Sequence, residues 1–162
     1  TLDWRVYVPL ISEHRLVLAM RMLADLLVGD VPFYELSLMG AFNSHGFAEV
    51  KGVMGVPEGR YSGELKLIGA LELRSLFAPF TMFRMRMVFG LHAFLIAGQT
   101  WATLEVEPPF DGPGPASAFG VGGGLLLRWG ESLVIRIETA YSPDATDGGI
   151  PVGIYFDLGY AF

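Results

Sequence analysis

The chain contains no cysteine, which excludes a disulfide framework and a thiolate metal site. Basic charge is short: 11 Lys and Arg stand against 17 Asp and Glu, for a net charge of −6. A nucleic-acid partner needs a basic surface to displace counterions from phosphate, so that class is excluded. Charge of either sign is scarce, 17% of residues against 52% hydrophobic, whereas a soluble domain carries about 25% charged residues. Long apolar runs are missing as well. The longest stretch free of Asp, Glu, Lys and Arg, Met87 to Leu104, is interrupted by Gly90, His92, Gly98, Gln99 and Thr100. A spanning helix wants about 20 mainly apolar residues. A greasy chain without such a helix leaves the closed β-barrel, the other structure that satisfies every backbone polar group in lipid. At 162 residues it suits one domain, 1–162. It begins at Thr1 and shows no signal peptide, so it is expected to be processed or a piece of something longer.

What the chain has is alternation. Strand patterning of period two can be read over about 2–11, 14–28, 60–76, 82–101, 119–129, 133–141 and 152–162. In the second segment Arg15, Arg21 and Asp25 share one parity. In the third, Arg60, Glu64, Lys66, Glu72 and Arg74 do so, opposite Leu65, Leu67, Leu71 and Leu73. In the fourth, Arg84, Arg86 and His92 oppose Phe83, Met85, Phe89 and Leu91; in the sixth, Arg136 and Glu138 oppose Ile135 and Ile137. With one free choice per strand, such agreement has a chance probability of about one in 256. A soluble sandwich or lipocalin-like barrel also alternates. Long apolar faces opposite polar faces of mixed charge favour a membrane barrel, where a charge facing lipid costs about 2–4 kcal/mol at the midplane.

The joints alternate in length: short at 12–13, long at about 29–59, short around Phe77–Thr81, long at about 102–118, short at 130–132, long at 142–151. Outer-membrane barrels distribute periplasmic turns and external loops in this way. Aromatic residues near segment ends (Trp4, Tyr61, Trp101, Trp129, Tyr141, Tyr160, Phe162) fit interfacial girdles. Seven strands conflict with the even numbers of bacterial barrels. Either an eighth lies within 31–56, or further strands precede this segment.

The run Val31-Pro32-Phe33-Tyr34-Glu35-Leu36 to Met39-Gly40, followed by Val53-Met54-Gly55-Val56-Pro57-Glu58-Gly59-Arg60-Tyr61, resembles the bacterial surface antigen superfamily. This is the group of BamA-type assembly factors, TamA and two-partner secretion transporters. Further elements follow in order: Leu71-Glu72-Leu73-Arg74, Phe94 to Trp101, the glycine-rich Phe119 to Arg128, Val134 to Ser142 and the terminal aromatic Phe162. The resemblance covers about 30–162. It implies an all-β transmembrane antiparallel barrel, this chain being its C-terminal half, about seven to eight of sixteen strands. The loop at about 29–59 would fold into the lumen, with Met54, Gly55, Val56, Pro57, Glu58, Gly59 and Arg60 as its signature. The wall facing it would include Glu72, Arg74, Arg84, Arg86, His92, Ile96, Arg136 and Glu138. The closing strand, with Leu158, Tyr160 and Phe162, would border the seam. The family's loop arginine and wall aspartate are replaced by Met54 and Ile96. Loss of both can be neutral, whereas loss of one strands a buried charge at about 3–5 kcal/mol. A second register, Val50-Lys51-Gly52-Val53, keeps Lys51 as the base.

The resemblance further implies the bacterial outer membrane, contact with its lipid, and insertion or translocation of unfolded client proteins with periplasmic accessory proteins. A stand-alone small barrel with a passive channel or structural role is the alternative. No cofactor or catalytic set is expected. His14, His45 and His92 lack metal-ligand spacing, and a phosphate loop at Gly120–Gly124 would need a helix to follow.

Overall fold

The computed structural model describes residues 1–11, 16–40, 52–57, 60–102, 116–131, 133–143 and 151–160. Seven strands form one sheet: β1 (Leu2–Ile11), β2 (Leu16–Leu26), β5 (Leu65–Met82), β6 (Met85–Trp101), β7 (Ala116–Trp129), β8 (Leu133–Tyr141) and β9 (Val152–Tyr160). Each pairs antiparallel with its neighbour in the order β1-β2-β5-β6-β7-β8-β9. Two short strands, β3 (Ser37–Leu38) and β4 (Ser62–Gly63), make a separate ribbon. The long loop therefore supplies no eighth strand to the sheet among the described residues.

The sheet separates chemistry by face. Arg21, Lys66, Glu72, His92, Arg136, Glu138 and Asp157 are buried on one side. The opposite parity puts Met22, Leu67, Leu71, Leu91, Leu95, Phe119, Ile137, Ile154 and Phe156 in the open, each more than 40% exposed. A soluble sandwich or lipocalin-like barrel would bury such residues, and an apolar face of this extent marks contact with something other than water. Among the described residues no helix is long and apolar enough to cross a membrane; any crossing is made by strands.

Besides β7, which starts at Ala116 rather than 119, and β2, which ends at Leu26 rather than 28, the boundaries of β5 and β6 differ from the sequence reading. The break expected around Phe77–Thr81 lies inside β5, which continues to Met82. A bulge at Phe77 shifts the register between Leu76 and Ala78, and Pro79 pairs with Val88 beyond it. The bulge reverses the parity of β5, so a period-two reading stops there. The turn itself is Phe83–Arg84, both with positive φ (52° and 62°), as tight two-residue hairpin turns require. No Asn or Gly signals it. At the other end β5 begins at Leu65, so Arg60 and Glu64 belong to the loop rather than to the wall.

Candidate functional site

The long loop comes back onto the charged face. After β2 the chain passes a single 3-10 turn at Phe33–Glu35 and enters β3. Met39 N–H donates to the Tyr61 carbonyl at 2.9 Å, and Val53 N–H donates to the Met39 carbonyl at 2.6 Å. The Lys66 ammonium, on the wall, donates to the Leu38 carbonyl at 3.0 Å and pairs with Asp25 at 3.1 Å. The two arms of the loop are thus tied to each other and to β5.

Met39, Val53, Met54 and Val56 are at most 2% exposed. They form one cluster with Leu23, Ile68, Ala70, Phe94, Ile96, Ala118, Ala140 and Tyr155 from the wall. Burying each such side chain stabilises the seat by about 1.5–3 kcal/mol. Two wall positions make the approach possible. A Cβ at Gly120 would overlap the Met54 carbonyl oxygen, and one at Gly98 would lie 2.8 Å from the Val53 side chain. At the tip, Gly55 has φ +90°, and a Cβ there would lie 3.0 Å from Ser142. Its N–H donates to the Tyr155 hydroxyl at 2.7 Å. The loop thus reaches from β6 to β9, the last strand of the sheet.

Nearer the short turns, the same face carries an ionic lattice. The Arg74 guanidinium donates to both oxygens of Glu72, at 2.8 and 3.0 Å. His92 sits between two glutamates, Nδ1 3.1 Å from Glu72 and Nε2 3.3 Å from Glu138. Arg136 lies 3.6 Å from each glutamate, and buried Asp157 is its register partner on β9. The Phe94 ring, 5.8 Å from that of His92, separates lattice from loop seat. Towards β1, Arg21 donates to both oxygens of Asp3, at 3.0 and 2.8 Å.

Nine of the eighteen loop, wall and seam residues singled out in the sequence come together here. Met54, Gly55 and Val56 fill the seat with Ile96, while Glu72, Arg74, His92, Arg136 and Glu138 form the lattice. Two wall assignments need correction: Arg84 is exposed in the β5–β6 turn, and Arg86 is exposed at the short-turn rim. Pro57 and Arg60 are exposed as well, Arg60 lying over the Tyr61 ring at 5.7 Å. Tyr61, expected in a girdle, packs against the loop cluster instead. Leu158 is exposed on the apolar face of β9. Tyr160 ends that strand, opposite Leu133. Glu58, Gly59, Phe162, Lys51, Arg15, His14 and His45 lie outside the described residues. Sequence reasoning missed Met39 and Tyr155; the parity Tyr155 shares with Asp157 on β9 was the available signal. The glycines of 120–124 lie within β7, which runs on as strand to Trp129, so the phosphate-loop reading fails. No cluster of three or more metal-ligating side chains occurs among the described residues.

A strand-only sheet with an exposed apolar face, a charged opposite face and a loop folded onto the latter narrows the choice of family. A scan of family profiles matches the Omp85 superfamily domain over residues 1–162. The chain belongs to the Omp85 superfamily. Searches of curated proteins and of solved structures returned no match. Omp85 membership associates the seven-stranded sheet with a partial outer-membrane β-barrel. It also associates the chain with the superfamily's general work, non-enzymatic protein insertion or translocation at the bacterial outer membrane.

Proposed function

We propose that this chain is the C-terminal part, 1–162, of a BamA-type barrel that inserts or translocates client proteins at the outer membrane. In this reading the charged face lines the lumen, and the loop at about 29–59 is the lumen-directed signature loop. The observation that carries it is the seat of Met54, Gly55 and Val56 on the wall, fastened to Tyr155. Strand direction supports a larger barrel. Seven antiparallel strands leave β1 and β9 running the same way, so an all-antiparallel closure needs an odd number of added strands. Nine would give sixteen and one would give eight, both even as bacterial barrels require. A second copy of these seven would instead meet the first at parallel seams. Free edges inside lipid are not tolerated, so β1 and β9 each need a further strand beside them; in this reading β9 borders the seam. The unfolded clients and periplasmic accessory proteins belong to this same proposal.

The replacement of both family charges by Met54 and Ile96 favours a second reading, a small passive barrel in which the loop is a plug. The full-length protein in liposomes separates the two. An assembly factor accelerates folding of an added urea-unfolded barrel client, read by heat-resistant migration on gels. Folding no faster than in empty liposomes overturns the first reading. In planar bilayers, deletion of 43–53 should raise conductance if the loop obstructs the lumen; an unchanged conductance contradicts that placement.

A further inference from the structure

The apolar face is not evenly tall. One row across the strands, set by register pairs, runs Trp4, Met22, Gly69, Ala97, Phe119. Large side chains stand at its ends, with hydrogen and methyl between them. The next row towards the short turns is closed by the pair Leu71 and Leu95. The result is a groove of about 940 Å³, lined from Leu2 on β1 to Phe119 on β7. Gly69 does not make room for a neighbour, because a Cβ built there meets nothing within 4 Å. Its missing side chain leaves space on the outside of the sheet.

At the end nearer the long loops, Gln99 and Ser117 are register partners facing the same way as Ala97 and Phe119. An amide beside a hydroxyl on a face otherwise apolar is costly in hydrocarbon, about 2–7 kcal/mol per group left without a hydrogen-bond partner. Both would be satisfied by a molecule with a polar linkage at their level and a hydrocarbon tail below it. Trp4 flanks the groove in the row of Gly69 and Ala97.

We propose that this groove is a binding site for a single membrane lipid. One acyl chain lies over Gly69 and Ala97, and its ester or amide linkage bonds to Gln99 and Ser117. The site is continuous with the face read above as lipid-contacting, and it rests on that reading. Leu23, Ile68, Gly98 and Ala118 of the wall beneath the loop seat also line it, whereas Gly69, Ala97, Gln99 and Ser117 have the opposite parity.

The test uses the full-length protein reconstituted in phosphatidylethanolamine and phosphatidylglycerol vesicles, extracted in mild detergent and weighed by native mass spectrometry. Wild type should retain one phospholipid. Gly69→Leu fills the groove where there is space, and retention should fall at least about fivefold, about 1 kcal/mol. Ala97→Leu is the second filling variant, and Gln99→Leu with Ser117→Ala removes the polar hold. Folding of each variant is checked by circular dichroism. Equal retention in wild type and in both folded filling variants overturns the site, as does loss of a copurifying polypeptide instead of a lipid. Quenching of Trp4 fluorescence by mid-chain dibrominated lipid, with Trp101, Trp129 and any tryptophan outside 1–162 replaced by Phe, tests the reading beneath it. Quenching with equal retention removes the site alone; absence of quenching removes the membrane-facing assignment and the site with it.

Discussion

Two zones share the charged face of this sheet and solve opposite problems. Towards the long loops the wall is mostly apolar, with the Lys66–Asp25 pair at its border bonded to the loop's Leu38 carbonyl, and Met39, Val53, Met54 and Val56 cover it. Towards the short turns Glu72, Glu138, Arg74, Arg136 and His92 neutralise one another. The difference teaches that face parity alone does not make a residue polar. Where Met39, Val53, Met54 and Val56 lie on the wall, the wall becomes a core; where none of the described loop covers it, charge persists and is balanced in place, as it is for Lys66 and Asp25 at the border of the seat. The pair Met54 and Ile96 sits in the first zone, where the family pattern would have put an ion pair. In the proposed reading, apolar packing stands in for that charge pair on both partners together; Met54 and Ile96 do share one buried cluster.

The largest effects should come from placing charge wrongly. Met54→Arg puts a guanidinium into the apolar seat and should cost about 3–5 kcal/mol, read as a lower denaturant midpoint of the refolded barrel. Adding Ile96→Asp should recover much of that loss. A purely additive double mutant would show that the positions do not couple. Glu72→Ala attacks the other zone and strips Arg74, Arg136 and His92 of their shared carboxylate. The expected cost is again about 3–5 kcal/mol, with the loop seat intact. Protease resistance of the loop that fell together with the midpoint would erase the distinction between the zones.

Gly120→Val is smaller in energy and more local. Its side chain occupies the space of the Met54 carbonyl, so the loop must lift, at about 1–3 kcal/mol. Limited proteolysis should cut within 41–60 while the strands stay protected. Tyr155→Phe is the smallest change: one hydroxyl is removed and the Gly55 N–H loses its acceptor, for about 0.5–1.5 kcal/mol. Hydrogen exchange should quicken at the Gly55 amide and along β9, and stay unchanged in β2.

These two small changes fall on features that sequence reasoning could not weigh. The strands were legible because charges on period two leave few alternatives, and seven of the twelve charged residues that carried the test (Arg21, Asp25, Lys66, Glu72, Arg74, Arg136 and Glu138) do lie on the described wall. Arg60, Glu64 and Arg84 matched the parity by coincidence, being in the loop and the turn. The Phe83–Arg84 turn carries no glycine or asparagine, and the bulge at Phe77 disguised the last residues of β5 as a connection. The loop residues were found through family resemblance, but its seat was not. Gly98 and Gly120 look the same in sequence whether they ease bending or admit another backbone, and Tyr155 reads as one more aromatic in a strand.

The central claim is that the loop is seated on the apolar part of the charged face. Residues 1–162 hold no cysteine, so Met54→Cys, with any cysteine elsewhere in the full-length protein replaced, makes a single reporter, exposed in intact membranes to a membrane-impermeant maleimide. Labelling should be slow in the otherwise native protein and fast when Gly120→Val or Tyr155→Phe is added. Fast labelling in the native background would contradict the seat.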